Sequence, residues 1–172
     1  MELSNRELRQ VYEVLVLPMG HPDPIGYMTR ALLLSGGDSE YWGAENKVGF
    51  MPVDPALALE MVGIQDVVSL QNNVTTTIIM DQMFYQAYGN TTDMIVAFTY
   101  GMDEVSLDGT YTGGVAEFLN DIDEMRPYVQ NIVSPPRATL NDVVKMVNDH
   151  FKKGPRPGKK VLTAVNNILE KR

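Results

Sequence analysis

Apolar positions recur at helical spacing along most of the chain. Leu3, Leu8, Val11 and Leu15 stand three to five residues apart, and Ser4 in front of them predicts an N-cap. A turn-rich break from Pro18 to Pro24, with Gly20 and Pro22 inside it, ends this helix. Asp23 followed by Pro24 predicts a second capped helix that carries Ile25, Met28 and Leu32 inward and stops at Gly36-Gly37. A loop through Tyr41, Trp42 and Gly43 leads to Gly49-Phe50-Met51, after which Asp54-Pro55 opens a short helix ending near Gly63.

The pattern then predicts a long central helix over 66–88, with Val67, Leu70, Val74, Ile78, Met80, Phe84 and Tyr88 on or near one face. The β-branched run Thr75 to Ile79 would permit a strand by propensity, but its flanks keep a period of 3.6. Gly89-Asn90 ends that helix, and Thr91 or Thr92 caps the next, over 93–100. Turn signals at Asp108-Gly109 and Gly113-Gly114 predict a small β-hairpin over 105–111, through Val105, Leu107 and Tyr111. Helices resume over 116–120 and 124–133. Pro135-Pro136 then marks a boundary, giving a domain over 1–134 and an extension over 135–172. The extension reads as two helices, 140–151 and 159–169, around Gly154-Pro155-Arg156-Pro157-Gly158. The fold class expected is mainly α.

Composition narrows this picture in three ways. At 172 residues and 44% hydrophobic, the chain can bury one substantial core. The absence of cysteine excludes a disulfide scaffold and a thiolate metal site. The first residues lack a basic segment followed by an apolar run, and no later stretch is apolar enough to span a bilayer. Neither a signal peptide nor a membrane partner is therefore expected.

The net charge of −8 is unevenly distributed. Residues 152–172 hold seven of the fourteen Lys and Arg, among them Lys152, Lys153, Arg156, Lys159 and Lys160, against one acid, Glu170. The other residues carry seven bases and twenty-one acids, a balance of −14. A basic tail on an acidic body predicts docking on an acidic surface, its own or a neighbour's. No aromatic residue after Phe151 offers a stacking platform, so nucleic acid is not the expected partner.

The candidate chemistry is sparse. His21 and Asp23 have ligand spacing but no third partner, and His150 stands alone, so neither a metal nor a cofactor is expected. Asp38, Glu40 and Glu45 lie together in the loop after the second helix.

Several segments, in order, resemble lytic transglycosylases of the soluble (SLT) and goose-lysozyme type. Gly49-Phe50-Met51-Pro52-Val53-Asp54-Pro55-Ala56 resembles the family's Gly-Leu-Met-Gln-Val-x-Pro-Ala signature. Asp23-Pro24 resembles the opening of its acid-bearing helix, and Asn73-Val74 the Asn-Ile of its central helix. Tyr88-Gly89-Asn90 is similar to Phe-Gly-Gly, Ala97 to Gly101 to Ala-Tyr-Asn-x-Gly, and Glu124 to Ile132 to the closing Glu-Thr-x-x-Tyr-Val-x-x-Ile. Together these span about Asp23 to Val133.

The resemblance implies a lysozyme-like domain and a glycan cleft near Trp42, Phe50, Met51, Pro52 and Thr99. It implies that Met51, Ala56, Asn73, Tyr128 and Val129 serve the core. The departures fall where the chemistry would be. The family's Glu-Ser ends its helix some fifteen residues before the signature, and that place holds Ser35, or Leu34 if the loop is gapless. The signature Gln has become Pro52 and the Asn has become Thr99.

Glycoside cleavage needs a protonated acid in an apolar setting, for which Glu40 and Glu45 are the fallback candidates. The expected function is a pseudoenzyme: a non-catalytic structural protein of a phage particle, in tail, baseplate or ejection apparatus. Its expected location is the virion, in several copies, with other virion proteins as partners. A divergent transglycosylase, or a module that holds peptidoglycan without cutting it, is the alternative.

Overall fold

Ser4 opens the first helix, α1 (Asn5–Gln10), with a reciprocal capping box. Its hydroxyl accepts from the Glu7 N–H at 3.2 Å, while the Glu7 carboxylate accepts from the Ser4 N–H at 2.8 Å. The helix runs on as a π-helical stretch, Val11–Val16, and a 3₁₀ turn, Leu17–Met19. Leu8, Val11, Tyr12 and Val16 are buried along it.

The other helices are α2 (Pro24–Ser35), α3 (Pro55–Val62), α4 (Leu70–Tyr88), α5 (Thr91–Tyr100), α6 (Gly113–Val133) and α7 (Leu140–Phe151). The computed structural model describes residues 1–136 and 140–151. By contacts the chain divides into two units, Met1–Val133 and Ser134–Arg172. In the second unit the described secondary structure is α7.

Within the first unit α4 packs against α3, α5 and the π-helical stretch, and α6 packs against α1 and α2. The core lies between these layers, with Tyr27, Met28, Val74, Ile78, Met80 and Met94 all buried. Asp23 caps α2 by accepting from the Gly26 N–H at 3.1 Å, and Pro24 occupies the first turn. Ile25 and Leu32 are half-buried and pack against the core, and every residue from Gly26 to Ala31 is buried. The π-helical stretch and α6 both lie against this helix, so it has no single inward face.

Four local expectations need correction. The central helix starts at Leu70 rather than at 66, because the Asp66 carboxylate accepts from the N–H groups of Val68 and Ser69 and makes a turn there. Asn90, not Thr91 or Thr92, caps α5, its side chain accepting from the Asp93 N–H at 2.8 Å. No hairpin forms over 105–111. The N–H groups of Asp108 and Thr110 bond instead to the Ser106 and Asp108 side chains, which competes with a strand ladder. Finally, 116–120 and 124–133 belong to one helix, α6, which continues through Pro127.

Among the described residues the extended pairings are isolated antiparallel bridges: Glu2 with Asp38, Trp42 with Val48, and Val48 with Val53. No helix of the described residues is long and apolar enough to cross a membrane.

Candidate functional site: a cleft at the end of the second helix

The last two residues of α2 point to different environments. Ser35 is buried, and its hydroxyl proton is shared between the carbonyls of Ala31 (2.8 Å) and Phe50 (2.7 Å). The same oxygen accepts from the Gly37 N–H at 3.2 Å. Ser35 therefore ties the helix end to the following loop. Leu34, one residue earlier, is half-buried and lines a surface depression.

That loop is held from below by Asn73 on α4. Its Nδ2 donates toward the carbonyls of Val48 (3.3 Å), Met51 (3.1 Å) and Val67 (3.1 Å), and its Oδ1 accepts from the Met51 N–H at 2.8 Å. Gly49 is required beside it: φ is +95°, and a Cβ there would stand 2.1 Å from the Asn73 amide nitrogen. Phe50 and Met51 are consequently drawn into the core, both fully buried.

The outer part of the loop folds back on itself. Gly43 N–H donates to Lys47 O at 2.8 Å, and Lys47 N–H to Ala44 O at 3.3 Å. Between them Glu45 (φ 60°) and Asn46 (φ 58°) are both left-handed, the pattern of a type I′ turn. The Lys47 ammonium crosses to the Thr99 carbonyl at 2.9 Å, in the last turn of α5, where a cation is favoured by the helix dipole.

These elements enclose two adjoining depressions. The first, about 200 Å³, has apolar walls of Leu34, Tyr41, Pro52 and Phe98, with Glu45, Lys47 and Thr99 supplying polar groups. The second, about 310 Å³, shares Glu45, Lys47, Pro52, Phe98 and Thr99 and runs on past Asp54, Leu57, Met80 and Gly101.

Of the residues expected in a glycan cleft, Pro52 and Thr99 come together here and Glu45 joins them. Phe50 and Met51 lie in the core, and Trp42 is 69% exposed and is not among the lining residues. Glu40 is exposed and pairs with the Met1 ammonium at 3.4 Å, alongside Asp38. Of the five residues assigned to the core, Met51, Asn73 and Val129 are buried, but Ala56 and Tyr128 are exposed. Lys152, Lys153, Arg156, Lys159 and Lys160 lie outside the described residues, as does the second predicted helix of the extension.

Beneath the cleft lies a charged network that the residue pattern did not reveal. Arg30 and Asp81, both with fully buried side chains, meet at 2.6 and 3.1 Å, and the guanidinium sits 5.1 Å from the centre of the Phe98 ring. His21 is not a free ligand. Its Nδ1 accepts from the Asp23 N–H at 2.9 Å, which places the ring proton on Nε2, facing Asp81 at 2.6 Å.

Burial pushes the Asp81 carboxyl up, but the Arg30 charge and the bonds from His21 and Arg30 outweigh it and hold it below its ordinary value. Asp23 is likewise raised by burial and lowered further by Arg126, which grips it in two parallel bonds of 2.7 and 2.8 Å, and by the Gly26 N–H. An Arg in a run of apolar residues, and an Asp after Ile78-Ile79-Met80, were the available signals: a lone charge on a core face needs a buried partner.

Chemically, the cleft offers an apolar floor, one exposed carboxylate at a strained turn, and an ammonium already committed to a backbone carbonyl. Compared with known proteins, this chain matches no family model, no curated protein and no solved structure.

Proposed function

We propose that this chain is a non-catalytic structural protein of a bacteriophage particle, built on a lysozyme-like transglycosylase domain that has lost its general acid. The observation that carries the reading is the pairing at the end of α2. Leu34 lines the depression, while Ser35 is turned inward onto the Phe50 carbonyl. With Ser35 matched to the Ser of the family's Glu-Ser, the acid's place falls on Leu34, which has no proton to give to a leaving oxygen. Pro52 and Thr99, where the family has amides, line the same depression.

The particle reading also draws on charge. The basic segment 152–172 complements the acidic remainder of the chain, and contacts with other virion proteins give it a use. Its test is incorporation. A chain truncated after Ser134 should fail to enter particles, and normal incorporation of that truncated chain would contradict the reading.

One observation favours a second reading, a divergent transglycosylase. Glu45 borders both depressions, and its left-handed backbone is the kind of strain that functional sites hold. Against it, Glu45 is exposed and lacks the apolar enclosure a general acid needs. Release of muropeptides by the wild type that disappears in Glu45→Gln would establish this second reading.

A further inference from the structure

The loop over the cleft has a fixed base and a lightly held tip. The base is secured from three sides: Asn73 grips Val48 and Met51, Ser35 grips Phe50, and Val48 and Val53 exchange backbone bonds of 3.0 and 3.1 Å. The tip, residues 43–47, closes on itself through its type I′ turn. Among the described residues, the hydrogen bond from Lys47 Nζ to Thr99 O is the one that ties it to a helix. That bond runs between two residues that line both depressions. Glu45, Pro52 and Phe98 line both as well, so the bond lies where the two depressions meet.

We propose that residues 43–47 are a flap latched by Lys47, and that release of the latch joins the two depressions into one continuous groove. In the closed state the depressions measure about 200 and 310 Å³ and adjoin along these shared residues. In the open state the apolar floor of Leu34, Pro52 and Phe98 becomes continuous with the wall at Leu57 and Met80. With the latch released, the turn held by the left-handed pair Glu45 and Asn46 is free to open over the fixed base, and its own backbone bonds open with it. This inference rests on the geometry of the cleft and stands independently of the particle reading.

Amide exchange tests it in the intact protein. In the wild type, the Gly43 and Lys47 amides, whose acceptors lie inside the flap, should exchange through a local opening that low denaturant leaves unchanged. The α4 amides should exchange only through global unfolding. Lys47→Met keeps the stem and removes the donor; it should speed exchange at Gly43 and Lys47 about tenfold while leaving α4 unaltered. Lys47→Arg, which restores a donor, should return the flap to wild-type protection. Wild-type flap amides that exchange at the α4 rate with the α4 denaturant dependence would overturn the proposal. So would unchanged flap exchange in Lys47→Met.

Discussion

Asn73 shows how much one side chain can organise. Its amide serves three carbonyls and one N–H from two separate segments, all of them buried, so its removal orphans groups that water cannot reach. Asn73→Ala should cost about 3 kcal/mol in a chemical denaturation experiment, well above the loss of a single exposed hydrogen bond. Arg30 and Asp81 behave differently, because each needs the other. Arg30→Met alone should cost about 3–5 kcal/mol by removing the charge that balances the buried carboxylate, whereas the double variant Arg30→Met/Asp81→Leu should recover part of that loss, the remainder coming from the His21 N–H left without its acceptor. Additive losses in that cycle would mean that the pair is not coupled. Glu45 carries the opposite expectation. A left-handed non-glycine residue costs about 1 kcal/mol, so Glu45→Gly should raise stability by that amount, and a fall would show that the carboxylate makes a contact that outweighs the strain. At this scale the sequence was a partial guide. Asn73 could be assigned to the core but not to a role, because its four partners lie on the 48–51 loop and at Val67, outside its own helix. Arg30 and Asp81 sit fifty-one residues apart, and nothing local links them.

Several helix starts and stops were legible from a neighbour in the chain, whereas the Asp66 turn before α4 and the Asn90 cap of α5, though equally local, were not. The Ser4 box, the Asp23 cap with Pro24 behind it, and the glycine stops at Gly36 and Gly89 all follow from residues within one turn of the boundary. The segment 105–111 was misread because its turn residues satisfy one another's backbone groups, so turn signals that normally join strands instead close a loop on itself. The division of α6 was misread for lack of any true break between 120 and 124, while packing on α1 and α2 holds the helix together across Pro127. The Asp23 cap also predicts an acid response. Because its folded carboxyl is held below the ordinary value, its contribution is present above about pH 4 and is lost as pH falls through the folded value. Asp81, also held low, adds a loss of the same sign. Thermal midpoints of wild type and Asp23→Asn should therefore differ at neutral pH and converge on acidification. A gap that stays constant down to about pH 3 would assign the contribution to hydrogen bonding rather than charge.

At the scale of the molecule, mainly helical architecture was readable from periodicity; of the residues expected at a cleft, Pro52 and Thr99 line both depressions, while Trp42, Phe50 and Met51 do not. Which residue faces the cleft was not readable. Leu34 and Ser35 are adjacent on one helix, and a rotation of about 100° between neighbours decides which is exposed to the depression. Under the proposed reading, it decides at which of the two positions an acid would have to be restored, and it can be tested by putting one there. The most direct measurement is release of soluble muropeptides from purified sacculi by wild type, Leu34→Glu and Ser35→Glu. A silent wild type, activity in Leu34→Glu, and silence in Ser35→Glu, whose carboxylate would be forced into the core against the Phe50 carbonyl, is the result predicted. Cutting by the wild type would contradict the account, and its loss in Glu45→Gln would identify the carboxylate responsible.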